Sequence, residues 1–201
     1  MHISYVFILN KYFDGLNLSK IYVIITTRSS MKDYLINKES CCFTGHRPQK
    51  VSWGFNKKDH RYKLVEKETT AKIKSLIETG IYVFISGMAV GFDMLCAEIV
   101  LKLKKKYKNI ELYCALPCKN QARFWSKHEQ SRYNRIVKKA DYVNYICENY
   151  SPVCMLKRNK FMVDNSKVII AFYNSENGGT KQTINYAKRL GKEIEYICTY
   201  E

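Results

Sequence analysis

With 201 residues, 46% of them hydrophobic, the chain can bury one core, so one domain is expected. No run approaches the roughly 20 apolar residues of a membrane helix, which excludes an α-helical membrane protein and leaves no membrane partner. The formal charge of +16 admits a polyanionic partner, but lysine far outnumbers arginine, and Lys, Asn, Ile and Tyr are all abundant, as in AT-rich coding. A solvated basic surface and a nucleic-acid groove therefore both stay open.

In chain order, the first thirty residues are two apolar scraps, Ile3–Leu9 and Ile21–Ile25, joined by Lys11-Tyr-Phe-Asp-Gly-Leu-Asn17. The first lacks a basic lead and neither runs into a small-residue cleavage site, so no signal peptide is expected. Residues 1–38 are read as an N-terminal extension, with Met31 the expected natural start and Arg28-Ser-Ser30 compatible with a translated ribosome-binding site. The alternative is an extra hairpin on a sheet edge. Residues 39–201 are read as the folded domain.

From residue 41 onward strand and helix patterns alternate. Strands are expected at Cys41–Thr44, Tyr82–Ile85, Ile110–Leu116, Asp141–Cys147, Lys167–Tyr173 and Glu193–Ile197. Helices are expected over 59–79, 92–107, 122–139, 153–164 and 180–190, with Gly80 and Gly191 ending the first and last. This order predicts an α/β fold, a Rossmann-like three-layer sandwich around a mainly parallel central sheet. Most of the eight cysteines fall inside the apolar runs, and Cys114 and Cys118 have no matching Cys/His pair at zinc spacing. Buried reduced thiols in a cytoplasmic protein are expected, with no metal and no cofactor.

Three strand ends carry glycine. The first loop reads Thr44-Gly45-His46-Arg47-Pro48, the second Ser86-Gly87-Met88-Ala89-Val90-Gly91-Phe92-Asp93, and the third Asn177-Gly178-Gly179-Thr180. A strand that ends in small residues and opens a helix presents backbone N–H groups at the positive end of a helix dipole, which suits phosphate. Each loop alone has a plain alternative: a turn glycine, an acidic first turn, a threonine cap. Together, at the carboxyl ends of strands in one parallel sheet, they predict a pocket for a nucleotide or phosphosugar. Arg47 offers a bidentate cation, Ser86 and Thr180 offer hydroxyls, and Asp93 is an acceptor for ribose or a base edge. Neither a P-loop lysine nor the G-x-G-x-x-G fingerprint is present, which disfavours ATPase and dehydrogenase chemistry.

Further motifs extend the set: Pro117-Cys118 with Gln121 and Trp125, then Tyr150, Arg158-Asn-x-x-Met-Val-Asp164, and Tyr186-Ala187. With Cys42-Phe-Thr-Gly-His-Arg-Pro48, Ser86-Gly-Met-Ala-x-Gly-x-Asp93 and Gly178-Gly-Thr180, residues 40–198 resemble the SLOG superfamily, which groups DprA-type DNA-processing proteins with LOG-type nucleotide hydrolases. The YpsA-like branch of bacterial and phage proteins is the most similar. The resemblance implies a Rossmann-like domain with a nucleotide pocket lined by Thr44, Gly45, His46, Arg47, Ser86, Gly87, Met88, Ala89, Asp93, Gly178, Gly179 and Thr180. Arg158 and Asn159 are added from their helix. Trp125 and Tyr150 are candidates for stacking on a base, or for packing under a loop. A homodimer is the family default.

One departure bears on enzymology. LOG-type hydrolases carry Pro-Gly-Gly-x-Gly-Thr-x-x-Glu, whose glutamate does the glycosidic chemistry, whereas Thr183 stands three residues after Thr180 here. The first reading is thus a sensor, regulator or sequestering protein for a nucleotide or nucleotide-derived molecule, without turnover and with Asp93 as the catalytic carboxylate if there is any. The second is single-stranded nucleic-acid binding of DprA type through Arg123, Trp125, Lys127, Arg132 and Tyr133. The third is a nucleotide N-glycosidase of LOG type.

Overall fold

The structure, a computed structural model, describes residues 39–174 and 177–200. The expectations for Met31 and residues 1–38 lie outside the described residues. Six strands form one sheet: β1 Ser40–Gly45, β2 Val83–Ser86, β3 Glu111–Leu116, β4 Tyr142–Tyr145, β5 Val168–Phe172 and β6 Glu193–Ile197. Their order is β4-β3-β2-β1-β5-β6, and every pair is parallel. Five helices connect them: α1 His60–Glu78, α2 Phe92–Leu103, α3 Lys127–Lys139, α4 Cys154–Asp164 and α5 Gly179–Arg189. Helices α1, α2 and α3 pack side by side on one face, and α4 packs on α5 on the other. This is the expected α/β sandwich.

The central strands read as unbroken apolar runs because both of their faces are covered. Cys41, Cys42, Phe43, Val83, Phe84 and Ile85 are all almost fully buried. The thiols of Cys41 and Cys96 are pushed well up by burial, so they stay protonated and act as small apolar groups.

Two helix boundaries differ from the periodicity. Helix α3 starts at Lys127 because Ser126 caps it, accepting from the Glu129 N–H, while the Glu129 carboxylate lies 3.3 Å from the Ser126 hydroxyl. Residues 119–125 form turns instead. Helix α2 ends at Leu103 and runs out into turns over 104–106, where successive lysines place cations beyond the negative end of its dipole.

Candidate functional site

The strand order reverses at β1. The chain steps outward through β2, β3 and β4 on one side, then returns to place β5 on the other side of β1. The segment after β1 leads to α1 on one face and the segment after β5 leads to α5 on the opposite face, so a crevice opens where they part. A cavity of about 340 Å³ lies there, at the small end of the range for small-molecule sites.

The β1 loop forms one wall with Thr44, Gly45, His46 and Arg47. Gly45 is required by close approach, since a Cβ there would sit 2.5 Å from the Phe92 ring. His46 is buried and ties three segments together. Its Nε2 accepts from the Asn174 N–H at 3.0 Å, its own N–H reaches the Phe172 carbonyl, and its carbonyl accepts from the Phe92 N–H. Trp53 and Phe55 close over Phe172 with ring centroids 6.0 and 5.7 Å away, anchoring the rest of the loop.

The β2 loop is wired inward. The Ser86 hydroxyl donates to the Asp93 carbonyl and accepts from the Met88 N–H, and the Ala89 N–H points to Asp93 Oδ2 at 3.4 Å. Gln121 donates to the Gly87 and Met88 carbonyls from the loop after β3. The Met88 and Ala89 amides of this turn are thereby engaged within the protein. Ser86, Gly87 and Met88 support the cavity from behind, whereas Ala89 and Asp93 line it.

Asp93 and Arg158 form the floor. Arg158 reaches across from α4, and its Nη1 lies 3.2 Å from Asp93 Oδ2 with both side chains buried. Gly87 makes room for it: a Cβ there would fall 1.1 Å from Arg158 Nη1. Burial pushes the Asp93 carboxyl up despite the opposing pull of the Arg158 and Arg47 charges, and burial likewise lowers Arg158. Both shifts share one cause: neither charge recovers in the pair all the hydration it has lost. Arg158 Nε is buried without a hydrogen-bond partner. An ion pair in this setting fixes the floor of the cavity.

The third wall is the start of α5. Gly178 is its N-cap, with φ of 148°, and no side chain caps the helix among the described residues. A Cβ at Gly178 or Gly179 would meet nothing within 4 Å, so the first turn faces open space. Asn177, Gly178, Gly179 and Thr180 all line the cavity. Thr183, in the position of the LOG-type glutamate, also lines it, with its hydroxyl donating to the Gly179 carbonyl.

Of the glycine-loop and α4 candidates, all but Ser86, Gly87 and Met88 thus line one cavity, Asn159 included, whereas Trp125 and Tyr150 do not. Sequence reasoning missed Phe43, Gln49, Lys50, Met155, Met162 and Thr183 as lining residues. Met155 and Met162 flank Arg158 at the helical i−3 and i+4 positions, a spacing visible once Arg158 is placed in the site. Trp125 packs edge-on against Tyr133, 5.5 Å away, and does not line the cavity. Arg132 is held by both oxygens of Glu98 and Tyr133 is buried, so much of the anticipated aromatic and basic face is committed internally. Among the described residues, no cluster of His, Cys, Asp and Glu could hold a metal, and no helix is long and apolar enough to cross a membrane.

Comparisons with known proteins agree with this architecture. A DprA structure from Streptococcus pneumoniae superposes with a TM-score of 0.57 at 17% identity, covering 82% of this chain and 52% of that one. The chain therefore spans about half of that protein. A DprA from Helicobacter pylori, described for its single-stranded DNA binding mode, gives 0.55 at 15% identity, covering 81% of this chain and 67% of that one. At these identities the likeness is one of fold. In sequence, the SPbeta prophage-derived protein YoqJ of Bacillus subtilis is 35% identical over 127 residues, covering 56% of this chain and 74% of that protein. A UPF0398 protein of Brevibacillus brevis is 32% identical over 134 residues, covering 65% and 71% respectively. The family model described as the YspA SLOG family matches residues 41–200, and the chain belongs to that family.

Proposed function

We propose that residues 39–201 act as a binding domain that holds a nucleotide or nucleotide-derived small molecule at the β1–β5 switch point, with its phosphate on the first turn of α5. One observation carries the reading. The only carboxylate lining the cavity among the described residues, Asp93, is paired inward with Arg158, while Arg47 and Lys50 line the same space beside an uncapped helix start. A site with this balance favours an anion. The residues proposed to hold it are Thr44, Gly45, His46, Arg47, Ala89, Gly178, Gly179, Thr180 and Asn159, with Ser86, Gly87, Met88, Asp93 and Arg158 shaping the floor.

The same observation argues against turnover. General acid–base work on a glycosidic bond needs a carboxylate within reach of the bond. Thr183 supplies none, and Asp93 is engaged. The cellular role that follows is sensing, regulating or sequestering the ligand in the cytoplasm. Thermal-shift screening against a nucleotide library tests it: stabilisation by at least one nucleotide is expected, and Arg47→Ala should erase it. Retained stabilisation in that variant would move the site elsewhere.

Single-stranded nucleic-acid binding is the second reading, favoured by the +16 charge and by the DNA-binding description of the Helicobacter pylori neighbour. Arg123 and Lys127 are the exposed cations left to it on the face named from the sequence. Absence of any gel shift with DNA or RNA at low salt would eliminate it.

A further inference from the structure

We infer that the ligand is longer than one nucleotide, its second anionic half lying in the groove between α4 and α5. The inference rests on the nucleotide reading of the glycine-loop cavity. That cavity, at about 340 Å³, has room for about one nucleotide. A second space of about 710 Å³ runs between the outer sides of α4 and α5. The two share a wall, because Asn159 of α4 and Thr183 of α5 line both. A ligand seated on the first turn of α5 can therefore continue along that helix without leaving the protein surface.

The lining of the groove fits the continuation of a phosphate-linked chain. Lys160, Lys188 and Arg189 line it, and among the described residues no carboxylate does. Lys160 Nζ and Arg189 Cζ each lie 5.6 Å from the centre of the Tyr186 ring. The Tyr186 hydroxyl donates to Asp164 at 2.7 Å, so the ring is held in place before any ligand arrives. A cation over this anchored ring can swing aside for a base, which stacks on the freed face while the cation takes its phosphate. Gln182 and Asn185 add amides that can read a base edge. A groove serving only solubility would need neither the oriented ring nor continuity with the cavity.

The test compares ligands of one and two nucleotides on the full chain. The probes are the four nucleoside 5′-monophosphates and the four matching 5′-phosphorylated homodinucleotides, measured by calorimetry at low salt. At least one dinucleotide is expected to bind about tenfold tighter than its monophosphate. The double variant Lys160→Ala/Arg189→Ala should bring the dinucleotide down to the monophosphate's affinity while leaving the monophosphate unchanged. Lys188→Glu, which alters no ring contact, should also weaken the dinucleotide selectively. Equal affinity of mono- and dinucleotides in the unaltered protein overturns the inference and leaves the pocket reading standing. Variants that weaken both probes alike, or neither, overturn it too. If no probe binds, the nucleotide reading itself fails and takes the extension with it.

Discussion

Gly87→Ala is the substitution whose consequence the structure determines most sharply. The added Cβ would lie 1.1 Å from Arg158 Nη1 and 2.3 Å from its Cζ. Ordinary contact between heavy atoms begins near 3.5 Å, so the guanidinium must retreat by about 2 Å. Its bond to Asp93 Oδ2 is already 3.2 Å long and does not survive that retreat. Asp93 then stays buried with the Ala89 N–H as a partner, and the new Cβ stands 2.9 Å from its Oδ2. Removing one partner of a buried pair costs about 3–5 kcal/mol. Because the carboxyl can take up a proton instead, the lower end, about 3 kcal/mol, is expected. For a domain of this size that corresponds to a fall in Tm of about 6–12 °C.

Urea unfolding of four proteins measures it: the natural chain, Gly87→Ala, Arg158→Met and the double variant. With Arg158 already shortened there is no guanidinium to displace, so Gly87→Ala should cost less than about 1 kcal/mol in that background. A coupling of about 2 kcal/mol between the two sites is the expected signature. Equal penalties for Gly87→Ala in both backgrounds would refute the reasoning, since the damage would then come from the backbone and not from Arg158.

Other outcomes follow from the same geometry. Arg47→Ala, at an exposed position on the cavity rim, should weaken nucleotide binding about 10- to 100-fold with Tm unchanged, read by calorimetry against thermal melts. Gly179→Asp adds a side chain into open space, so it should fold normally yet lose nucleotide binding because its charge meets the phosphate; unimpaired binding would move the anion off α5. Carbon-detected NMR titration should place the Asp93 midpoint above the ordinary value of about 3.9, and Arg158→Met should raise it further by removing the cation. With its folded pKa raised, this carboxyl's contribution to stability is fully present below about 3.9 and is lost as pH rises through the folded midpoint. Raising salt should weaken nucleotide binding only modestly, with a slope of log affinity on log salt of about −2 or shallower, whereas single-strand binding over many phosphates gives a slope of about −0.7 per phosphate contacted and so a far steeper fall.

The alternation of apolar strands and amphipathic helices was legible in the sequence because a parallel sheet covered on both faces imposes two distinct periods on one chain. The three glycine loops were legible too, since glycine at the ends of strands reports either a special φ or a close approach. Which of those two applied was not. Gly45 and Gly87 are glycine because Phe92 and Arg158 occupy the space of a Cβ, and both contacts depend on packing between elements. Gly178 and Gly179 keep a helix start open instead. The start of α3 was misjudged for a local reason: the apolar spacing of Ala122 and Trp125 continues the helical pattern, but Ser126 with Glu129 sets the boundary.

Arg158 shows where reading one chain runs out of purchase. Its neighbours in sequence, Lys157 and Lys160, are exposed lysines, and nothing in the local pattern separates it from them. Its burial arises because α4 lays one face against the sheet at the height where Gly87 leaves a gap and Asp93 turns inward. The same event redistributes the roles of the loops. Arg158 engages Asp93 Oδ2, and the Met88 and Ala89 amides of the β2 turn are directed to Ser86 and Asp93. Under the proposed reading the anion sits on the first turn of α5, which faces open space. On that reading, a charge-neutral floor below an uncapped helix start is preorganised: a phosphate would meet fixed dipoles and the Arg47 cation without first having to displace a competing carboxylate.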